Sequence, residues 1–257
     1  MRTVGGLIIM AGLAATPAAA GSWNLPRGQG QAILKYEDMR ADQGFGPDGE
    51  KRPLAAERVD RAVSLFVEYG LSERLTLQFK GEWQDGEDAF VDYSGRGPLE
   101  LGVRWQAFRD DRTAVAVYAG YADGGEGRNA GYAAPGRGDG DWEVRLLAGR
   151  SLDASGARWV PQRTFVEAQV ARRWRDGLPD EVRADFTAGA HLGADWMLLG
   201  QAYGGVTDDE GARWLSVEAT AVRRLGGWSV QAGWRQAIAG RETPAAGGPI
   251  VALWRRF

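Results

Sequence analysis

The sequence predicts an all-β fold: a transmembrane antiparallel up-and-down β-barrel of about 12 strands, with N- and C-termini periplasmic. Three observations carry that expectation. Segments of about ten residues alternate apolar and polar side chains, as strands with one face in lipid and one toward a polar interior must. The connections between them alternate short and long. An export segment opens the chain and an aromatic residue closes it.

The export segment comes first. Met1-Arg2 is a short basic start, Val4 to Ala15 an apolar stretch, and Pro17 with Ala18-Ala19-Ala20 an A-x-A cleavage site. Together these read as a signal peptide over 1–20, with a mature start near Gly21. That division leaves 21–29 as a periplasmic N-terminal segment and 30–257 as the barrel. Net charge is -3, and -4 once Arg2 is removed, which argues against a nucleic-acid partner because such partners want a basic patch. With no cysteine there is neither a disulfide framework nor a lipid-anchored cysteine. Past Ala20 no run approaches the roughly 18 apolar residues of a membrane helix. Eleven tryptophans and 38 glycines against ten prolines suit a twisted, aromatic-rich sheet.

The clearest strand runs from Leu75 to Gln84. Leu75, Leu77, Phe79, Gly81 and Trp83 fall on one face, and Thr76, Gln78, Lys80, Glu82 and Gln84 on the other. Leu99, Leu101, Val103, Trp105 and Ala107 repeat the pattern, as do Val182, Ala184, Phe186, Ala188 and Ala190, and then Trp228, Val230, Ala232 and Trp234. Fainter copies lie at 30–39, 60–69, 112–122, 141–150, 162–174, 196–205 and 213–224, with the last from 248 to the end. The faces of 196–205 are ambiguous. The even total is what single-chain bacterial barrels require.

Gly70–Arg74, Arg109–Asp111, Leu192–Asp195 and Leu225–Gly227 read as tight periplasmic turns. The segments 40–59, 85–96, 123–140, 175–180, 206–212 and 237–247 read as longer outer loops, while 151–161 is longer than a turn should be. Trp83, Trp142, Trp174 and Trp234 sit toward the loop ends of their apolar faces, and Tyr69, Trp105, Trp196 and Trp228 toward the turn ends. Two such rows are expected to form aromatic girdles at two membrane interfaces.

In the terminal strand Pro249, Val251, Leu253 and Phe257 share a face. The ending resembles the C-terminal signal of bacterial outer-membrane barrels, which implies that Phe257 is read by the barrel-assembly machinery. Arg255 departs from that pattern, which prefers an apolar residue there. Tyr69-Gly70-Leu71-Ser72-Glu73-Arg74-Leu75-Thr76-Leu77, with Trp23-Asn24-Leu25-Pro26-Arg27-Gly28-Gln29-Gly30-Gln31, resembles proteobacterial outer-membrane proteins of the porin-like, phenol-degradation-pathway group. The resemblance implies a fold and a place among outer-membrane lipid and lipopolysaccharide, and little about a solute.

Catalytic chemistry has little to stand on. His191 is the one histidine, and it falls on the polar face at a turn end, away from outer-leaflet chemistry. No catalytic residue, metal site or cofactor is expected. The acidic runs Asp85-Gly86-Glu87-Asp88, Asp139-Gly140-Asp141 and Asp208-Asp209-Glu210 lack calcium-loop spacing. What remains is the lumen, whose candidate lining is Lys35, Glu37, Glu68, Lys80, Glu82, Glu100, Arg104, Arg145, Glu167, Arg183, Asp185, Glu218, Arg224 and Arg235. Two readings stay open: a narrow passive channel for small polar solutes, or a closed barrel whose outer loops bind a surface partner. An outer-membrane lipid-modifying enzyme is a third, resting on precedent alone.

Overall fold

The computed structural model describes residues 21–90, 92–125, 139–153, 161 and 163–257. Its strands are β1 (Gly30–Phe45), β2 (Lys51–Ser72), β3 (Leu75–Glu87), β4 (Asp92–Arg109), β5 (Thr113–Asp123), β6 (Gly140–Asp153) and β7 (Arg163–Arg175). They continue as β8 (Glu181–Leu192), β9 (Trp196–Thr207), β10 (Arg213–Leu225), β11 (Trp228–Arg241), the two-residue β12 (Thr243–Pro244) and β13 (Gly247–Arg256). Each long strand pairs antiparallel with its chain neighbours, and β13 lies between β11 and β1. The β1–β2 pairing closes the ring, so the twelve long strands form a barrel with no free edge. At the seam Gly30 and Phe257 exchange backbone hydrogen bonds of 2.6 and 3.0 Å.

All twelve alternating segments are strands, and most extend beyond the stretch that alternates. The expected loop 40–59 is instead the upper part of a tall β1–β2 hairpin, leaving a turn at 46–50. Likewise 85–96 shrinks to a connection between Glu87 and Asp92, which face one another. Much of 237–247 is taken up by β11, β12 and β13. The physical reason is that Gly, Asp and Arg in these stretches satisfy the ladder well when opposite charges face across strands. Arg61 meets Asp38 at 3.5 Å and Asp85 at 3.4 Å, and Arg96 meets Asp123 at 2.6 Å. Arg172 likewise holds Asp180 at 3.1 Å and Asp208 at 2.6 Å, and its hydrogen bond keeps the Asp208 carboxyl below the usual carboxylate range. Of the expected loop 123–140, residues 126–138 lie outside the described residues, as does most of 151–161.

The turns are as short as expected. Between β4 and β5, the Asp110 carboxylate accepts hydrogen bonds from the backbone N–H of Arg112 (2.8 Å) and Thr113 (2.6 Å), which hold it below its ordinary pKa. Between β2 and β3 the Ser72 hydroxyl accepts from the Leu75 N–H at 3.1 Å.

Side chains divide cleanly between two faces. Outward, β3 exposes Leu75, Phe79 and Trp83, β4 exposes Leu99, Leu101, Val103 and Trp105, and neighbouring strands follow suit. The nine residues from Leu75 to Trp83 span about 26 Å along the strand, the scale of the apolar band of outer-membrane barrels. All eight girdle candidates, Tyr69, Trp83, Trp105, Trp142, Trp174, Trp196, Trp228 and Trp234, are exposed on this outer face. Tyr121, Trp142 and Trp174 stand side by side in register on β5, β6 and β7. Near the turns, Arg223 lies 5.4 Å over the Trp196 ring, and Arg255 lies 5.0 Å over Trp228. Arg255 thereby keeps an aromatic surface beneath its charge at the position where the C-terminal pattern departs.

Candidate functional site

The inner face collects the charges. Lys35, Glu37, Glu68, Lys80, Glu82, Glu100, Arg104, Arg145, Glu167, Arg183, Asp185, Glu218 and Arg235 all alternate with outward apolar neighbours, so they point into the barrel. Arg224 has the same parity but stands exposed at the turn-end mouth, 3.3 Å from Asp195.

The pairing is along the wall. Lys35–Glu37 (2.8 Å), Lys80–Glu82 and Arg145–Glu143 each join residues two apart on one strand. Arg173 bridges adjacent strands, meeting Glu143 from its Nε and Glu181 from its Nη1, both at 2.9 Å. Arg235 reaches Glu218 on β10 at 2.9 Å and Glu37 on β1 at 2.7 Å. The second contact passes over β13, where the residue facing Arg235 is Gly248 and offers no side chain. Each of these pairs joins residues of one strand or of strands no more than two apart. The central groups are themselves buried: Arg173 and Arg235 are 1% and 2% exposed, and Glu143 and Glu181 3% and 2%.

Glu143, Arg173, Arg175 and Glu181 are central to this network, and residue counting passed over them. Their signal was available: Trp142 and Trp174 face outward, which turns 143, 173 and 175 inward. Tyr118 and Tyr203 were less accessible, because aromatics on the polar face blur the alternation. Tyr118 donates to Glu100 at 2.8 Å and packs against Gly102 and Gly120, where a Cβ would collide with its ring.

The N-terminal segment departs most from expectation. Instead of lying in the periplasmic space, Ser22, Trp23, Asn24 and Leu25 are buried inside the turn end of the barrel. A turn over Pro26–Gln29 reverses the chain before β1, closed by a 3.1 Å bond from the Gln29 N–H to the Pro26 carbonyl. Gly28 occupies its third position with φ +79°, the left-handed value a type II turn requires there. Beyond the turn the backbone meets prepared partners. The Ser22 N–H donates to Glu167 and the Asn24 N–H to Gln106, both at 2.8 Å. Arg104 donates to Glu68 (2.7 Å), to the Asn24 side-chain oxygen (3.0 Å) and to the Trp23 carbonyl (3.0 Å).

Three of the expected pore-lining residues, Arg104, Glu68 and Glu167, are therefore covered. Arg104 has 0% of its surface exposed, so it holds the segment and meets no solute. Trp23 lies against Gly149, where any Cβ would run into its ring. The substitution Gly149→Val is accordingly expected to unseat the segment. With no native cysteine in the chain, a thiol placed at Leu25 should be labelled about tenfold faster in the Gly149→Val background than in the parent, equivalent to about 1.4 kcal/mol of local closure. Equal labelling rates would show that the contact holds nothing.

The segment covers the arc from β2 to β7. The rest of the turn-end mouth, from β7 round to β13, holds a cavity of about 220 Å³. Arg163, His191, Arg224, Trp254 and Arg256 line it, over a floor that includes Met197 and Val222. Those two floor residues belong to a buried apolar cluster with Phe165 and Leu199, against which Trp254 packs. His191 sits 6.4 Å from the Phe165 ring, on the inner face as expected. Among the described residues no group of His, Asp and Glu side chains is arranged to hold a metal ion.

Solved outer-membrane proteins share this architecture. An outer-membrane channel from Pseudomonas putida F1 matches over 94% of this chain and 100% of its own, with TM-score 0.70 and 16% identity. The fold is that of an outer-membrane β-barrel. The NanC porin (TM-score 0.56, 6% identity) covers 86% of this chain and 98% of its own. The translocator domain of the autotransporter NalP from Neisseria meningitidis (TM-score 0.50, 11% identity) covers 91% and 90%. No protein-family model and no curated protein sequence matches the chain.

Proposed function

We propose that this barrel is a narrow passive channel for small polar solutes, set in the bacterial outer membrane with its termini in the periplasm. The observation that carries the reading is the direction of the interior ion pairs, which run along the wall between residues of one strand or of strands no more than two apart. The outward apolar band with its two aromatic rows supports the membrane setting, among lipid and lipopolysaccharide. Cleavage near Ala20 and recognition of Phe257 by the assembly machinery would bring it there. Its work requires no catalytic residue and no cofactor.

Purified protein added to a planar bilayer is expected to give discrete conductance steps. Silence across salts and voltages would sink the channel reading. One observation favours the rival, a closed structural barrel whose outer loops bind a surface partner: the buried segment at the turn end. Under that rival the intact chain is silent.

The membrane setting has its own test. Leu101 is 57% exposed in the middle of the outer band. Leu101→Arg is expected to cost about 2–4 kcal/mol of folding free energy in lipid vesicles, as arginine does at the midplane of such barrels. An unchanged unfolding midpoint would place the outer face in water.

A further inference from the structure

We infer that the cavity at the turn-end mouth is a binding site for small organic anions with an apolar body, of the aromatic carboxylate kind. The inference deepens the channel reading by naming the class of solute that lingers in it.

Two features of the cavity point to an anion. The inward arginines away from the turn end are matched to carboxylates: Arg173 meets Glu143 and Glu181, and Arg235 meets Glu218 and Glu37. Those of the cavity are not. Arg163 donates to the backbone carbonyl of Gly193 at 3.1 Å, and Arg256 to the side-chain oxygen of Gln31 at 3.3 Å. Among the described residues neither has an acidic partner; Arg224 has one, Asp195, and all three arginines stand exposed at the mouth. Between them stands His191, whose buried Nε2 lacks a hydrogen-bond partner. A guanidinium binds a carboxylate bidentately, and unpaired guanidinia facing one cavity are a receptor for that group.

The third feature points to the apolar body. Met197 and Trp254 lie in the same cavity and belong to the buried apolar patch of the inner wall. A simple inorganic anion would leave that surface wet, whereas a ring or branched chain would cover it. Position adds the last point. The N-terminal segment occupies the arc from β2 to β7, so a solute crossing the turn end passes the arc that carries the arginines.

The test uses the purified full chain in detergent and reads binding by calorimetry, with benzoate as probe and benzamide as its uncharged isostere. Benzoate is expected to bind at least tenfold more tightly than benzamide, and Arg256→Gln or Arg163→Gln to weaken benzoate about tenfold. Equal binding of the two probes would overturn the proposal, with no dependence on any variant. So would benzoate binding that survives in both variants, or that an equal concentration of chloride displaces. Conductance plays no part in this measurement, so a barrel that binds benzoate and does not conduct is told apart from one that conducts and does not bind.

Discussion

A chain whose mature form begins at Arg27 is expected to conduct about twice as much current per open channel as the intact protein. Residues 22–25 fill one arc of the turn end, from β2 to β7, and that arc is roughly half of the circumference. Current through a pore follows its narrowest section, so clearing half of the constriction is expected to raise it about twofold. The shortened chain keeps the Gly30–Phe257 closure and every strand pairing, so its heat-modifiable migration on detergent gels is expected to persist. An unchanged step size would place the constriction elsewhere and leave the segment without a gating role. Steps appearing only in the shortened chain would favour the closed-barrel reading of the intact protein.

The contrast between barrel and segment explains what was legible in the sequence. Barrel strands are read from period-two alternation, and it is strong wherever the outer face is uniformly apolar, as from Leu75 to Trp83. Register at 196–205 resisted because Met197 and Leu199 are apolar on the inner face while Trp196 and Leu198 are apolar on the outer. An inner apolar patch erases the alternation it sits in. The tall β1–β2 hairpin was hidden for a related reason: above the lipid band the alternation inverts, with Met39, Ala41 and Phe45 buried on the inner face and Arg40 and Asp42 exposed on the outer, so charged, Gly-containing strand reads as loop. Burial of residues 22–25 leaves no periodic trace, because four residues seated by Glu167, Gln106 and Arg104 depend on partners about 80 to 145 positions away. Inner-face charges could be assigned by parity, but parity does not say which of them meet solute and which are covered.

Arg104 makes that last distinction measurable. Arg104→Met is expected to destabilise the barrel by about 3–5 kcal/mol, the cost of stranding the partner of a buried ion pair. Glu68, itself 2% exposed, would keep the Gln78 amide at 2.6 Å as its remaining donor, and Asn24 and the Trp23 carbonyl would lose theirs. Adding Glu68→Gln removes the stranded charge, so the double variant is expected to recover part of the loss, a positive coupling in a double-mutant cycle. Lys80→Gln serves as the contrast: Lys80 is also paired and also inward, but 30% exposed, and its loss is expected to cost under about 1 kcal/mol. Urea unfolding in lipid vesicles reads all three. If Arg104→Met moved the midpoint no further than Lys80→Gln, the buried network would be a bystander. Because Arg104 holds Trp23 and Asn24 directly, the same variant is also expected to raise single-channel current toward that of the chain shortened to Arg27. Stability and conductance then change together at one residue, as they must if Arg104 fastens the N-terminal segment to the wall.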